Sequence, residues 1–123
     1  GADLLIIDDP HSEQDALSAT AMENAYEWYT SGPRQRLQPG GKIVCVMTRW
    51  SKKDLTGMLL SKQKEAKADQ WEVVEFPAIL DHGAEIEPVW PEYWNLEELE
   101  KVKAMDATSN FGRRCPYKAG MVA

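Results

Sequence analysis

The sequence predicts an α/β fold, a parallel sheet with flanking helices. Three observations predict it. Leu4–Ile7 and Ile43–Met47 are short aliphatic runs that stop at polar residues, as strands buried on both faces of a parallel sheet do. The segment between them carries apolar residues at helical spacing, and so does the segment after the second run. Strand, helix, strand, helix, strand is an order that right-handed crossovers convert into a sheet with helices on its faces.

The first strand, Leu4–Ile7, ends at Asp8-Asp9-Pro10. A helix follows, with Leu17, Ala21, Ala25 and Trp28 as its expected apolar stripe. Ser18 or Thr20 caps its start, and Thr20 with Glu23 has capping-box spacing. Gly32-Pro33 ends or kinks it, and Pro39-Gly40-Gly41 is a turn signal before the second strand. Ser51 and Asp54 have capping spacing for a second helix that buries Leu55, Met58 and Leu59 and exposes Lys62, Lys64 and Lys67. Trp71 to Phe76 alternates apolar and acidic residues, which suits a half-exposed third strand closed by Pro77. Residues 78 to 94, broken by Gly83, Pro88 and Pro91, read as an extended connector. Asn95 and Glu98 have the spacing to cap a last helix running to about Met105.

Composition narrows the functional classes. No run of 18 apolar residues occurs, so no membrane span is encoded in the stretch given. The opening Gly1-Ala2-Asp3 lacks a basic lead, which is not the pattern of a secretory signal. The two cysteines, Cys45 and Cys115, make no disulfide framework, and Cys45 is expected to be a buried thiol in a reducing cytosol. The net charge of -6 comes wholly from residues 68 to 123, with ten acidic residues and no Lys or Arg between Asp69 and Glu100. That stretch is a poor surface for nucleic acid, whose phosphates demand positive charge.

Two strand ends carry candidate chemistry. Asp8 and Asp9 follow the first aliphatic run, and residues at the C-terminal ends of parallel strands reach the edge where α/β proteins bind ligands. Adjacent carboxylates there favour a compensating cation, and Mg²⁺ with a phosphate supplies one. The same residues also suit a polar strand end before a proline turn. Thr48, Arg49 and Trp50 follow the second run. A hydroxyl and a guanidinium at that edge suit a terminal phosphate; equally, Arg49 pairs with an acid and Trp50 packs on the next helix. His11 is a conceivable third ligand to a metal held by Asp8 and Asp9, although no second His or Cys is spaced to complete the set. No Ser-His-Asp arrangement of the nucleophilic type occurs.

Taken in order, these stretches resemble the phage terminase large subunit family. Asp3-Leu4-Leu5-Ile6-Ile7-Asp8-Asp9-Pro10 is similar to its Walker B segment. Ser18, Trp28 and Arg36-Leu37-Gln38-Pro39-Gly40-Gly41 resemble the helix and turn that follow it. Thr48-Arg49-Trp50 with Asp54-Leu55, Gly57 and Leu59-Leu60 resembles the coupling motif and its helix. Phe76-Pro77-Ala78-Ile79, Val89-Trp90-Pro91-Glu92 and Leu96-Glu97-Glu98-Leu99 resemble the run toward the nuclease domain. Each motif is weak alone, and the ordered series over residues 3 to 111 is specific.

The resemblance implies part of an ASCE-type P-loop NTPase sheet, with residues 1–77 from the ATPase domain and 78–123 a connector toward a nuclease domain. It implies an ATP-driven motor that moves double-stranded DNA into a capsid, in the cytoplasm of a phage or prophage host. Its partners would be the portal protein, the small terminase subunit and copies of itself in a ring. Asp8 would hold Mg²⁺, usually through water, and Asp9 would orient the water that attacks ATP. Thr48 and Arg49 would sense the γ-phosphate. The same features are compatible with a piece of another P-loop ATPase, such as a helicase, or with a non-catalytic remnant.

The sequence also departs from the family. No Gly-rich loop ending in Gly-Lys-Ser/Thr is present, so the phosphate loop is expected before residue 1 and the nuclease carboxylates after residue 123. The chain alone is therefore expected to be inactive. In such motors the phosphate-loop strand lies between the coupling-motif strand and the next, so Trp71–Phe76 is expected to lack a neighbour and leave apolar surface exposed. After Phe111 the family continues toward Gln-Tyr-Gln-Gln, whereas Gly112-Arg113-Arg114-Cys115-Pro116-Tyr117 stands here. No function is carried onto that tail.

Overall fold

The computed structural model describes residues 1–105 and 119–122. Residues 106–118, which include Cys115 and most of the divergent tail, lie outside the described residues. The described residues form a mixed α/β structure in which nine α-helices and β-strands follow one another. They are β1 (Ala2–Asp8), α1 (Ala19–Ser31), β2 (Leu37–Met47), α2 (Leu55–Lys62), β3 (Glu72–Val74), β4 (Ile79–Asp81), β5 (Ile86–Pro88), α3 (Leu96–Met105) and β6 (Ala119–Val122).

The aliphatic runs do pair as parallel neighbours. β1 lies beside β2 with Leu4 opposite Lys42, Ile7 opposite Cys45 and Asp8 opposite Val46. The main sheet has the order β1-β2-β6-β3. β6 runs antiparallel to both β2 and β3, so β1, β2 and β3 all point the same way.

Position β6 corrects an expectation. β3 was expected to have an empty place beside it, and β6 occupies that place, with Met121 opposite both Cys45 and Val73. The facing edges of Val44–Met47 in β2 and of β3 are thereby paired. The expected apolar exposure does occur: Val73, Val74 and Phe76 are about half exposed, at 41%, 39% and 51%.

One face of the sheet is covered. Ile7, Ile43, Cys45 and Met47 pack with Tyr29 of α1, Leu55 and Leu59 of α2, and Trp71. Successive crossovers of one hand that step the same way across a sheet put their helices on one side. On the other face Leu4 and Ile6 stand exposed and Val44 and Val46 are half-buried. The strands read as buried on both faces are thus buried on one.

Two local expectations shift and one of two cap candidates is selected. The apolar stripe of α1 is rotated by about one residue: Met22 and Tyr29 are buried, while Leu17, just before the helix, and Trp28 are exposed. Ser18 is the cap, its hydroxyl accepting from the Ala21 amide at 3.2 Å. The Pro39-Gly40-Gly41 turn does not precede β2 but bulges within it. Ala2 pairs with Leu37 and Leu4 with Lys42, so β2 carries three extra residues there, with Gly40 at φ 80°.

Residues 78–94 are not simply extended. β4 and β5 form an antiparallel hairpin around Gly83, whose φ of 89° suits glycine. Ala78 and Leu99 form a second small core, with Ile79 and Trp94 against it. The α3 cap is as expected: Asn95 Oδ1 accepts from the Glu98 amide at 2.9 Å.

Because β6 satisfies the facing edges of β2 and β3, deleting the chain from Ala119 onward is expected to lower stability by more than about 2 kcal/mol, or roughly 8 °C in Tm. It should also promote association through the bared edges. Thermal melts with size-exclusion chromatography check this; an unchanged, monomeric protein would contradict it.

Candidate functional site at the C-terminal edge of the parallel strands

The parallel register brings the two candidate strand ends to one edge. The Asp9 amide donates to the Val46 carbonyl at 2.8 Å, extending the ladder one residue past Asp8. Thr48 directly follows Met47, the last residue of β2, so both strand ends leave the sheet at the same edge. Asp8 and Asp9 are exposed and Thr48 is half-buried. Asp9 has φ 54°, the left-handed region that non-glycine residues enter at a cost. Among the described non-glycine residues it alone has positive φ. Such backbone strain is commonest at functional sites.

Arg49 takes a different place from the one its phosphate-sensing reading requires. Its Nε donates to both Asp54 oxygens, at 3.2 and 3.0 Å, and its Nη2 donates to the Ser51 carbonyl at 3.2 Å. The guanidinium is folded back on its own loop, with its side chain only 11% exposed. In this structure it organises the Thr48–Asp54 loop.

Asp54 is the centre of that loop. Its side chain is fully buried. Besides Arg49 it accepts from the amides of Trp50 at 2.8 Å, Ser51 at 3.2 Å and Gly57 at 2.8 Å. It is the N-cap of α2, whereas the Ser51 hydroxyl accepts from the Lys53 amide. Gly57 is required by packing: a Cβ there would run into the Lys52 carbonyl, where the loop crosses the helix start.

His11 is turned inward, not toward the carboxylates as a ligand. It is buried, and its Nε2 accepts from the Leu55 amide at 2.9 Å. That bond occupies the Nε2 lone pair a metal would need, and assigns the proton of the neutral ring to Nδ1. No cluster of three or more His, Cys, Asp or Glu suited to a metal occurs among the described residues. The three-residue site of Asp8, Asp9 and His11 is therefore not formed. Burial pushes the His11 imidazole below its ordinary value, against the opposite pull of Asp54, Asp15 and Asp9.

Two concavities of about 440 and 430 Å³ are present, the first at the opposite end of β2 from this edge, and neither is lined by Asp8, Asp9 or Thr48. One sits at the β2 bulge with Arg34 and Asp69, which form a two-pronged ion pair at 2.7 and 2.9 Å. The other lies between the loop after β1 and α1, lined by His11, Asp15 and Trp28 among others. Cys45, under α2, is buried as expected, and burial raises its thiol to about 11, which makes it inert. No helix of the described residues is long and apolar enough to cross a membrane.

Sequence reasoning located Asp8, Asp9 and Thr48 but missed the Asp54 hub and the His11 bond. Asp54 was legible as a capping candidate, and an acidic partner for Arg49 was one of the two readings; that one residue does both required the loop to close. No protein-family model, curated protein or solved structure matches the chain, and the functional reading is built on sequence pattern and geometry.

Asp54→Ala is expected to cost about 3–5 kcal/mol, because it strands the buried Arg49 charge together with three backbone donors. Arg49→Ala should cost less, since the carboxylate keeps its three amides. Urea denaturation of both variants checks the order. For His11, the folded value is depressed, so its contribution to stability is fully present above about pH 6.5 and is lost as pH falls through the lower folded value. His11→Gln should remove that part of the acid-side loss, and melts from about pH 8 down to about pH 5 measure it.

Proposed function

We propose that this chain is part of an ATP-driven DNA-packaging motor of the terminase large subunit class, and that Asp8, Asp9 and Thr48 form the catalytic edge of its nucleotide site. The observation that carries the proposal is the parallel β1–β2 register, which sets these three residues at one open sheet edge. The ordered motif series supplies the class of motor.

The donor set suits Mg²⁺ better than an all-protein metal cage. Mg²⁺ keeps several waters and takes one or two carboxylates together with substrate phosphates, and one or two exposed carboxylates are what this edge offers. Asp8 would hold the ion through water, and bound Mg²⁺ would offset phosphate charge. Asp9, held in its strained backbone by the Val46 carbonyl, orients the attacking water and accepts its proton. Thr48 donates its hydroxyl toward the terminal phosphate. Arg49 serves the same site indirectly, by shaping the loop that carries Thr48.

Turnover needs a phosphate-binding loop, which these 123 residues do not encode. A phosphate-loop strand seated between β2 and β3 would have to displace β6, which pairs with both. In that complete motor the partners are double-stranded DNA, the portal, the small subunit and further copies in a ring. The acidic stretch from Asp69 to Glu100 leaves the DNA grip to other surfaces.

The chain alone is expected to show no ATP hydrolysis. In a polypeptide that joins it to a phosphate loop, Asp9→Asn should lower ATP turnover by about 10²-fold or more, and Asp8→Asn should raise the Mg²⁺ concentration required. Turnover by the isolated chain that vanishes in Asp9→Ala, or full activity of Asp9→Asn in the joined protein, would overturn the proposal.

A further inference from the structure

We infer that His11 is a positioning residue that ties the Asp8–Asp9 loop to the first turn of α2, so that movement of the carboxylates is transmitted to that helix. The importance given to the carboxylates depends on the function proposed above; the link itself does not.

The first amides of a helix have no partner within it. In α2 they are divided between two donors of lone pairs from different loops. Asp54 takes the Gly57 amide and His11 Nε2 takes the Leu55 amide, across 44 residues of sequence. A ring kept only for packing has no need of that bond. An apolar side chain of similar shape would also avoid the buried Nδ1, which has no hydrogen-bond partner among the described residues.

The path from Asp9 to His11 is short and stiff. Asp9 is pinned by its amide to Val46 and sits at φ 54°. Pro10 locks the next φ. His11 is 4% exposed and held at Leu55. A displacement at Asp9 has little slack to absorb it before it reaches the helix. The second loop ends at the same turn, because Arg49 and Asp54 bind the residues after Thr48 to the α2 cap. Both halves of the candidate edge therefore converge on one helical turn. The charges whose fields reach His11 are Asp54 at the cap, Asp15 in the turn before α1, and Asp9 in its own loop.

Amide hydrogen exchange of the 123-residue chain, read by NMR, tests the link. His11→Leu should speed exchange at Leu55 by about tenfold or more, with Gly57 changed much less. His11→Gln, which retains an acceptor near the Nε2 position, should restore Leu55 to near the wild-type rate. Asp9→Gly, which frees the strained backbone, should speed Leu55 exchange in the wild-type background and have no added effect in His11→Leu. Equal acceleration of Leu55 and Gly57, no rescue by His11→Gln, or an Asp9→Gly effect that is absent in wild type or persists without His11 would each overturn the inference. These rates are measured without nucleotide, so a failed ATPase assignment leaves them unaffected and the two failures are distinguishable.

Discussion

The parallel pairing of β1 with β2 is the constraint on which the rest of this structure depends. Because Asp8 lies opposite Val46, two strand ends separated by some forty residues finish at the same edge. A shift of β1 by one residue would send Ile7 to the uncovered face and Ile6 into the core. The register is held by that difference: the covered face presents side chains that are nearly fully buried, and the opposite face presents exposed Leu4 and Ile6.

The loops at that edge are ordered by buried polar groups rather than by apolar packing. One carboxylate, Asp54, serves as helix cap, ion-pair partner and acceptor for the loop amides. Burying a charge is tolerable when it is paired and its lone pairs are filled, and Asp54 meets both conditions. The same economy explains Arg49. A guanidinium that satisfies this carboxylate is committed to the loop. His11 adds a contact from the other loop, and its neutral form is the one that can accept from Leu55.

Much of the fold was legible. Aliphatic runs ending in polar residues located β1 and β2, and helical spacing located α1 and α2. Asn95 announced its cap correctly because a capping hydrogen bond spans only three residues. The α1 stripe was misread because Met22 and Tyr29 compete with Ala21, Ala25 and Trp28 at nearly the same period, and only the neighbouring strands decide which set faces in. Pro39-Gly40-Gly41 signals a chain reversal or a bulge with equal force, and pairing with β1 selected the bulge. The β4–β5 hairpin was hidden by strands of three residues each, too short to show alternation.

What the sequence determined by itself was therefore local: where β1, β2, α1, α2 and α3 form, where Asp8, Asp9 and Thr48 stand relative to strand ends, and which stretch repels phosphate. These depend on residue types a few positions apart. The tertiary structure alone decided that β6 fills the gap beside β3, that one sheet face is covered and the other open, that Arg49 turns to Asp54, and that His11 reaches Leu55. Each of those joins or sets apart groups that are neighbours only after the chain folds, or chooses between partners that propensity cannot rank. Pairing and burial select among them, and both are properties of the whole packed chain.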